Sequence, residues 1–182
     1  MKTNWLYIVR PEATEYAPYY ERYISLVSGN DVLTTLEEAS PQTVALFSSL
    51  SEKEGDFRYS PEKWSVKQVL GHIIDTERIF AYRALRISRN DATPIEGYDQ
   101  DDYVRYGPFS HCQLSNLVEE YTHVRNATLS LFRSLDQEAW TRRGIANKNE
   151  VTVQALAYIV AGHELHHRNV LNDKYSAILT RR

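Results

Sequence analysis

The segment SVKQVLGHIIDTERIFAYRALRISR, residues 65–89, decides the fold class of this chain. Its apolar residues recur at steps of three and four and it contains no proline, which is the pattern of an amphipathic helix with one buried face. Ser65 is a residue type that caps helix N-termini well. The segment therefore predicts a long helix from Val66 to about Arg89.

Three further stretches repeat this helical period and bring the number of predicted long helices to four. They are residues 32–50, 111–135 and 153–178, with Asp31, Ser110 and Thr152 as their N-caps. Pro41 falls inside the first of them, so we expect a kink near Ser40. A short helical lead-in from Pro18, ending before Gly29, precedes the four.

The segments between these helices suggest how they are connected. Residues 91–110 contain Pro94, Gly97, Gly107 and Pro108, which favours a long crossover loop between the second and third helices. Such a loop would allow these two helices to be parallel or non-neighbouring. Because four amphipathic helices must bury their apolar faces on one another, we expect an all-α four-helix bundle that forms a single domain over residues 1–182.

Composition excludes several classes of function. The net charge is −3, which provides no general attraction for phosphates, and we expect no nucleic-acid partner. No stretch approaches the roughly 18 apolar residues of a membrane span, and residues 5–9, followed by Arg10, do not match a signal peptide. A single cysteine, Cys112, is unlike a disulfide-stabilised secreted domain, so a cytoplasmic location is expected.

The clearest chemical motif is the run GHELHH at residues 162–167. Two side chains four residues apart on a helix lie about 40° apart around its axis, so His163 and His167 share one face. His72 lies on the apolar side of the second helix and can reach them across the core. A lone inward histidine is usually a core residue, but beside this pair we expect His72, His163 and His167 to bind one divalent metal ion.

The same run also matches the His-Glu-x-x-His pattern of zinc proteases. Its extended form needs glycine where this chain has Val170 and histidine where it has Asp173. The short pattern alone is a weak signal. A protease is therefore not favoured.

Two stretches, YSPEKWSVKQVLGHIIDTER at residues 59–78 and AGHELHH at residues 161–167, resemble the DinB superfamily, as does the tyrosine-rich lead-in at residues 15–24. The resemblance covers nearly the whole chain. It implies a four-helix bundle, often a homodimer, with a three-histidine site for zinc, nickel or another divalent ion such as iron or manganese. It also places the chain near the bacillithiol and mycothiol S-transferases and the metal-dependent hydrolases.

Two acidic residues beside the histidines are candidate catalytic groups. Asp75 can orient His72 through the second ring nitrogen, or it can simply be solvated. Glu164 can accept a proton near the ion, or it can form an ion pair between helices.

The second helix also contains four arginines, Arg78, Arg83, Arg86 and Arg89. They are candidates for binding the carboxylates of an anionic thiol, although solvated surface charge is the simpler interpretation. The tyrosines at 16, 19, 20 and 23 can line a pocket or only pack.

Three imidazole ligands leave at least one position of the ion open, as in catalytic sites. A thiol bound there would become a thiolate, and the leading hypothesis is an enzyme that transfers a low-molecular-weight thiol to an electrophile. Water in the same position would make the protein a metal-dependent hydrolase. A non-catalytic, metal-stabilised binding or stress-response module is the third hypothesis, and an open cavity beside the ion would count against it.

Overall fold

The structure is a computed structural model that describes residues 9–29 and 31–179. Four long helices and five short ones follow one another in the described residues. They are α1 (Glu21–Ile24), α2 (Val32–Ser48), α3 (Glu52–Gly55), α4 (Val66–Ser88), α5 (Gln100–Tyr106), α6 (Leu114–Arg133), α7 (Gln137–Thr141), α8 (Val153–Lys174) and α9 (Ser176–Leu179). A hairpin of β1 (Arg143–Ala146) and β2 (Asn149–Thr152) precedes α8, and 3₁₀ turns span Ala13–Glu15, Pro18–Tyr20 and Phe109–His111.

The four predicted long helices are confirmed, and three of their four predicted caps are in place. The Asp31 carboxylate accepts the backbone N–H groups of Leu33 and Thr34 at the start of α2. The Ser65 hydroxyl accepts the backbone N–H of Gln68 at the start of α4, and the Thr152 hydroxyl accepts that of Ala155 at the start of α8. The third long helix begins at Leu114 and not directly after Ser110. The reason lies far away in sequence, because the carboxylate of Glu52 accepts the Leu114 N–H at 2.7 Å and supplies the cap.

The predicted connector before α6 and the segment before α8 both contain regular structure of their own. Residues 91–110 include α5, where the Asp99 carboxylate accepts the N–H groups of Asp101 and Asp102. The hairpin before α8 turns through Asn147 and Lys148 with φ of 48° and 64°, as a type I′ turn requires. The long crossover between the second and third long helices is therefore confirmed, but part of it is the short helix α5 and not loop. Helix α2 continues through Pro41, and the kink near Ser40 stays a prediction.

The second and third long helices are neighbours and run in the same direction, as the crossover allows. At their N-terminal ends, the Lys67 ammonium of α4 and the Leu114 N–H of α6 both contact the Glu52 carboxylate. Towards their C-terminal ends, Leu85 and Leu131 line one surface cavity. The crossover segment thus returns the chain along the length of the bundle before α6 begins.

Helices α4 and α8 pack against each other in opposite directions. The Tyr175 hydroxyl, just after α8, donates to the carbonyl of Trp64 before α4 at 2.7 Å. At the other end, Arg142 donates to the Ser88 carbonyl while its own carbonyl accepts the N–H of Val153. Helix α2 packs on α6 and α8, so α2 and α4 face each other diagonally across the bundle.

The apolar core is divided into two clusters by a layer of buried polar residues. One cluster includes Val32, Leu36, Phe80, Ala84, Phe132 and Leu156, and the other includes Phe47, Leu70, Ile74, Leu117, Tyr121 and Leu171. Glu77 of α4, Arg125 of α6 and His163 and Glu164 of α8 fall between the two clusters along their helices. This polar layer contains the residues on which the candidate site depends.

Two glycines let other parts of the chain approach the helices that carry the histidines. A Cβ at Gly162 would lie 2.0 Å from the backbone oxygen of Tyr23, and a Cβ at Gly71 would lie 2.3 Å from the Phe109 ring. Neither approach leaves space for a side chain. Gly162 therefore brings α1 directly onto the turn of α8 that contains His163.

Within residues 9–29 and 31–179, no helix combines the length and the apolar character needed to cross a bilayer. The N-terminal run at residues 5–9, considered above as a signal segment, lies outside the described residues except for Val9.

Candidate metal centre

Three histidines from two helices meet between α4 and α8. The Nε2 atom of His163 lies 2.9 Å from Nε2 of His72 and 3.1 Å from Nε2 of His167. All three rings are buried, with 3%, 5% and 9% of His72, His163 and His167 exposed. The spacing argument thus identified side chains that do come together, and His166 points elsewhere. That they bind an ion stays a prediction.

The protonation state of the three rings suits a cation. Burial lowers the pKa of His72 to about 4 and holds the pKa values of His163 and His167 well below their usual range, and the neighbouring rings lower these pKa values further. The imidazoles are therefore neutral at pH 7. Two nitrogens that share an ion at roughly 2.0–2.1 Å lie about 2.9–3.4 Å apart at octahedral or tetrahedral angles. The separations of His163 Nε2 from His72 and from His167 fall in this interval, and the ligand atoms of all three residues lie within 4.8 Å of one another.

Aromatic rings hold the histidines from two sides. The Trp64 ring centroid lies 4.7 Å from that of His72 and 6.4 Å from that of His167. Tyr23 packs edge-on against His163, with the ring centroids 5.3 Å apart. Because Trp64 immediately precedes the cap of α4, the start of that helix and the wall of the site are built from the same residues.

The second nitrogen of His72 faces a hydroxyl and not a carboxylate. His72 Nδ1 lies 3.5 Å from the Thr76 hydroxyl, which in turn lies 2.9 Å from the hydroxyl of Tyr98. Asp75, the residue considered for this role, lies 3.7 Å from Arg78, and burial raises its pKa. Thr76 was missed, although its position one helical turn after His72 was a usable signal.

Glu164 lies in the polar layer, where both of its oxygens have partners. Oε1 accepts hydrogen bonds from the Tyr121 hydroxyl at 2.6 Å and from the Thr43 hydroxyl, and Oε2 accepts one from Arg125 at 2.7 Å. Arg125 also makes a two-pronged ion pair with Glu77, at 2.9 and 2.8 Å. Two roles were predicted for Glu164, an ion pair between helices and a proton acceptor. These contacts agree with the ion pair.

A cavity of about 290 Å³ opens beside His163. Its walls come from both histidine-bearing helices, the lead-in, the crossover segment and the hairpin. They include Tyr20, Tyr23, Phe80, Arg83, Tyr98 and Asn147. Three of the four lead-in tyrosines therefore border the cavity, while Tyr16 does not. Of the four arginines of α4 that were considered for carboxylate binding, Arg83 is the one that lines the cavity.

Comparison with known proteins agrees with this architecture. The model of the DinB superfamily matches residues 35–171, a span that includes all three histidines. No curated protein matches the sequence.

Two solved structures are similar in fold. YfiT from Bacillus subtilis, described as a probable metal-dependent hydrolase with an unusual four-helix bundle topology, superposes with a TM-score of 0.69 at 16% identity over 92% of this chain and 91% of its own. The mycothiol-dependent maleylpyruvate isomerase superposes with a TM-score of 0.66 at 13% identity over 86% of this chain and 68% of its own. At such identities the likeness concerns the fold alone.

Proposed function

The chain belongs to the DinB superfamily, and from this premise we propose that it is a divalent-metal-dependent enzyme that transfers a low-molecular-weight thiol to an electrophile. Its ligands are His72, His163 and His167. The observation that carries the proposal is the meeting of three neutral, buried imidazoles, one of which, His163, lines a cavity. Zinc and nickel are the preferred ions, since imidazole suits both.

The bound ion supplies one kind of chemistry, because it lowers the pKa of a thiol or a water molecule that binds beside it. The protein supplies orientation and a dry environment. Trp64 and Tyr23 fix the planes of the three rings and exclude water from two sides. Thr76 faces the free nitrogen of His72 and links it to Tyr98 in the cavity wall.

In this proposal Glu164 positions α8 and does not exchange protons with the substrate. Its carboxylate is 1% exposed and already accepts hydrogen bonds from three side chains. A proton acceptor needs a free lone pair within reach of the reacting group. Asp75 is likewise assigned no step, because its observed partner is Arg78.

The hydrolase is the second candidate function. The description of YfiT as a probable metal-dependent hydrolase supports it, whereas the mycothiol dependence of the isomerase supports the thiol reaction. Both reactions use the same three ligands and differ only in the nucleophile. The cavity beside His163 favours either one over a non-catalytic module.

Metal content is the first experiment. The protein, expressed without a histidine tag, is compared by elemental analysis with the His163→Ala, His167→Ala double variant and with His166→Ala, which removes a histidine from the same helix but not from the cluster. We expect close to one divalent ion per chain in the parent and the control, and almost none in the double variant. A parent that neither contains nor takes up metal would overturn the proposal.

Thiol dependence then separates the two reactions. The loaded protein is incubated with an electrophilic substrate panel in the presence and absence of bacillithiol, mycothiol or glutathione, and products are identified by mass spectrometry. A thiol adduct formed by the parent but not by the double variant supports the transferase. Hydrolysis of ester or amide substrates without any thiol would instead support the hydrolase.

A further inference from the structure

We propose that Arg83 binds a carboxylate of the substrate and thereby selects small carboxylic acids for this site. That the bound molecule is a substrate follows only if the proposed function is correct. The binding site itself is inferred from contacts within the chain. It names the chemical class that the cavity accepts and the residue that recognises it.

Arg83 is a buried charge without a counter-ion. Its side chain is 2% exposed, and among residues 9–29 and 31–179 it makes no ion pair with a carboxylate. Its Nε atom is buried with no hydrogen-bond partner in that part of the chain. Its Nη2 atom donates to the carbonyl of Glu96 at 3.3 Å, and another polar neighbour is the neutral hydroxyl of Tyr20, whose pKa a hydrogen bond from Arg83 lowers against the larger effect of burial.

The neighbours of the guanidinium hold it in place but do not neutralise it. Its central carbon lies 4.8 Å from the ring centroid of Phe80 and 6.0 Å from that of Tyr98. Burial raises the pKa values of Tyr20 and Tyr98, so these hydroxyls remain neutral at physiological pH. A guanidinium keeps its charge under the same conditions. The positive charge is therefore left for a ligand.

Leaving a charge buried and unpaired is costly, and proteins rarely retain one without a use. Arg83 lines the same cavity as His163. Of the described residues that line this cavity, Arg83 is the one with a permanent charge. An anionic group that enters this cavity consequently finds one strong partner, with donors arranged as a planar fork.

The remaining walls favour a carboxylate over a phosphate. A single fork of donors matches the two oxygens of one carboxylate, and the other polar groups at the cavity are neutral: Gln100, Asn147 and Asn149. A phosphate carries more charge and usually receives several N–H donors or a helix N-terminus. The volume of about 290 Å³ lies at the lower limit of ligand pockets, roughly 300–1,000 Å³, which indicates a small molecule.

Binding to the metal-free protein tests this subsite without any contribution from an ion. Benzoate, the neutral isostere benzamide and phenyl phosphate are titrated into the ¹⁵N-labelled protein, and chemical shifts are followed by NMR, including the Nε–H signal of Arg83. We expect benzoate to shift this signal and to bind at least tenfold more tightly than benzamide and phenyl phosphate.

Variants then assign the effect to the side chain. Arg83→Met should weaken benzoate binding at least tenfold, and Arg83→Lys, which keeps the charge but loses the fork, should lie between this variant and the parent. Arg78→Met is the matched control, because Arg78 lies on the same helix but is half exposed and paired with Glu120. It should bind benzoate as the parent does.

Equal affinity for benzoate and benzamide, or an unmoved Arg83 signal, would overturn the proposal, and tighter binding of phenyl phosphate would overturn the choice of carboxylate. The parent titration answers the question even if Arg83→Met fails to fold. Metal content is measured separately. If the protein takes up no metal but binds benzoate through Arg83, the carboxylate site is supported and the proposed function is overturned. If the protein takes up metal but does not bind benzoate, the proposed function is retained and the carboxylate site is overturned.

Discussion

Arg125 and Arg83 are both buried in the helical bundle, and yet their surroundings are opposite. Arg125, 0% exposed on α6, is paired with Glu77 and Glu164 and donates to the carbonyl of Leu36. Arg83, 2% exposed on α4, has no carboxylate partner among the described residues and borders a cavity. A buried charge whose partners are internal stabilises the architecture, whereas one whose partner is missing indicates where a ligand belongs.

The three histidines form an intermediate case between these arginines. They avoid the cost of burial by remaining neutral, as their lowered pKa values indicate. Arg125 avoids the same cost through ion pairs, which raise its pKa well above the usual value. The buried titratable groups therefore differ in how they meet the cost of burial: the histidines are neutral, Arg125 is paired within the protein, and Arg83 is left for a ligand. Each of these three arrangements can be tested separately.

The largest effect is expected from Arg125→Met, which removes the partner of two buried carboxylates. Breaking such a pair from one side costs about 3–5 kcal/mol, because a charge is left unpaired in the core. The free energy of unfolding is measured by urea denaturation. Arg133→Met is the control, since Arg133 lies on the same helix but pairs with Glu37 at the surface, where loss of the pair should cost at most about 1 kcal/mol. Equal losses in the two variants would contradict the comparison.

Acid should distinguish the histidines from both arginines. The folded pKa of His72, about 4, lies below the unfolded value of 6.5, so the unfolded chain binds the proton first and stability falls as the pH drops through this interval. For the metal-free protein we expect a loss of roughly 3 kcal/mol from His72 alone. Denaturation curves at pH 7.5 and pH 4.5 are compared with those of a His72→Gln, His163→Gln, His167→Gln variant, whose pH dependence should be weaker. An equally steep dependence would contradict the assignment.

Replacing the whole charge network should largely restore what Arg125→Met removes. The triple variant Arg125→Met, Glu77→Met, Glu164→Leu leaves no buried charge among these residues, and such apolar replacements are often neutral or stabilising. We expect its free energy of unfolding to return to within about 2 kcal/mol of the parent. If the triple variant were less stable than Arg125→Met, the network would contribute more through its hydrogen bonds than through its charge balance.

The smallest effect is expected from Arg83→Met in the metal-free protein without ligand. Loss of the hydrogen bond to the Glu96 carbonyl costs about 1 kcal/mol, and removal of an unpaired buried charge offsets that cost. The free energy of unfolding should be unchanged or should rise by up to about 2 kcal/mol. A loss comparable to that of Arg125→Met would show that Arg83 has an internal role after all.

The sequence was sufficient for the helices and for the pair of His163 and His167, because both depend on spacing along one helix. His72 lies on another helix, and its prediction depended on its position on the apolar side of α4 and on the resemblance to the DinB superfamily. Thr76 also lies at helical spacing from His72, and Arg125 lies four residues from both Tyr121 and Leu129 in the apolar stripe of α6. These two signals were present but were not used.

Other features depend on contacts between distant segments. The partners of Arg125 follow from how three helices are aligned with one another, which periodicity does not determine. The start of α6 depends on Glu52. The hairpin turns through Asn147 and Lys148 without glycine, and its link to the crossover, through the Ile95 N–H and the Ile145 carbonyl, is visible only in three dimensions.

The cavity is assembled from two kinds of chain segment, and this has an evolutionary consequence. The histidines and Arg83 lie on the long helices, whereas Tyr98, Asn147 and Asn149 lie on the crossover segment and the hairpin. Exposed connectors accept insertions and substitutions far more readily than packed helices. Substitutions in the connectors can therefore change which molecules the cavity accepts while the three histidines on the helices stay in place, and the same division offers a route for directed evolution of this chain.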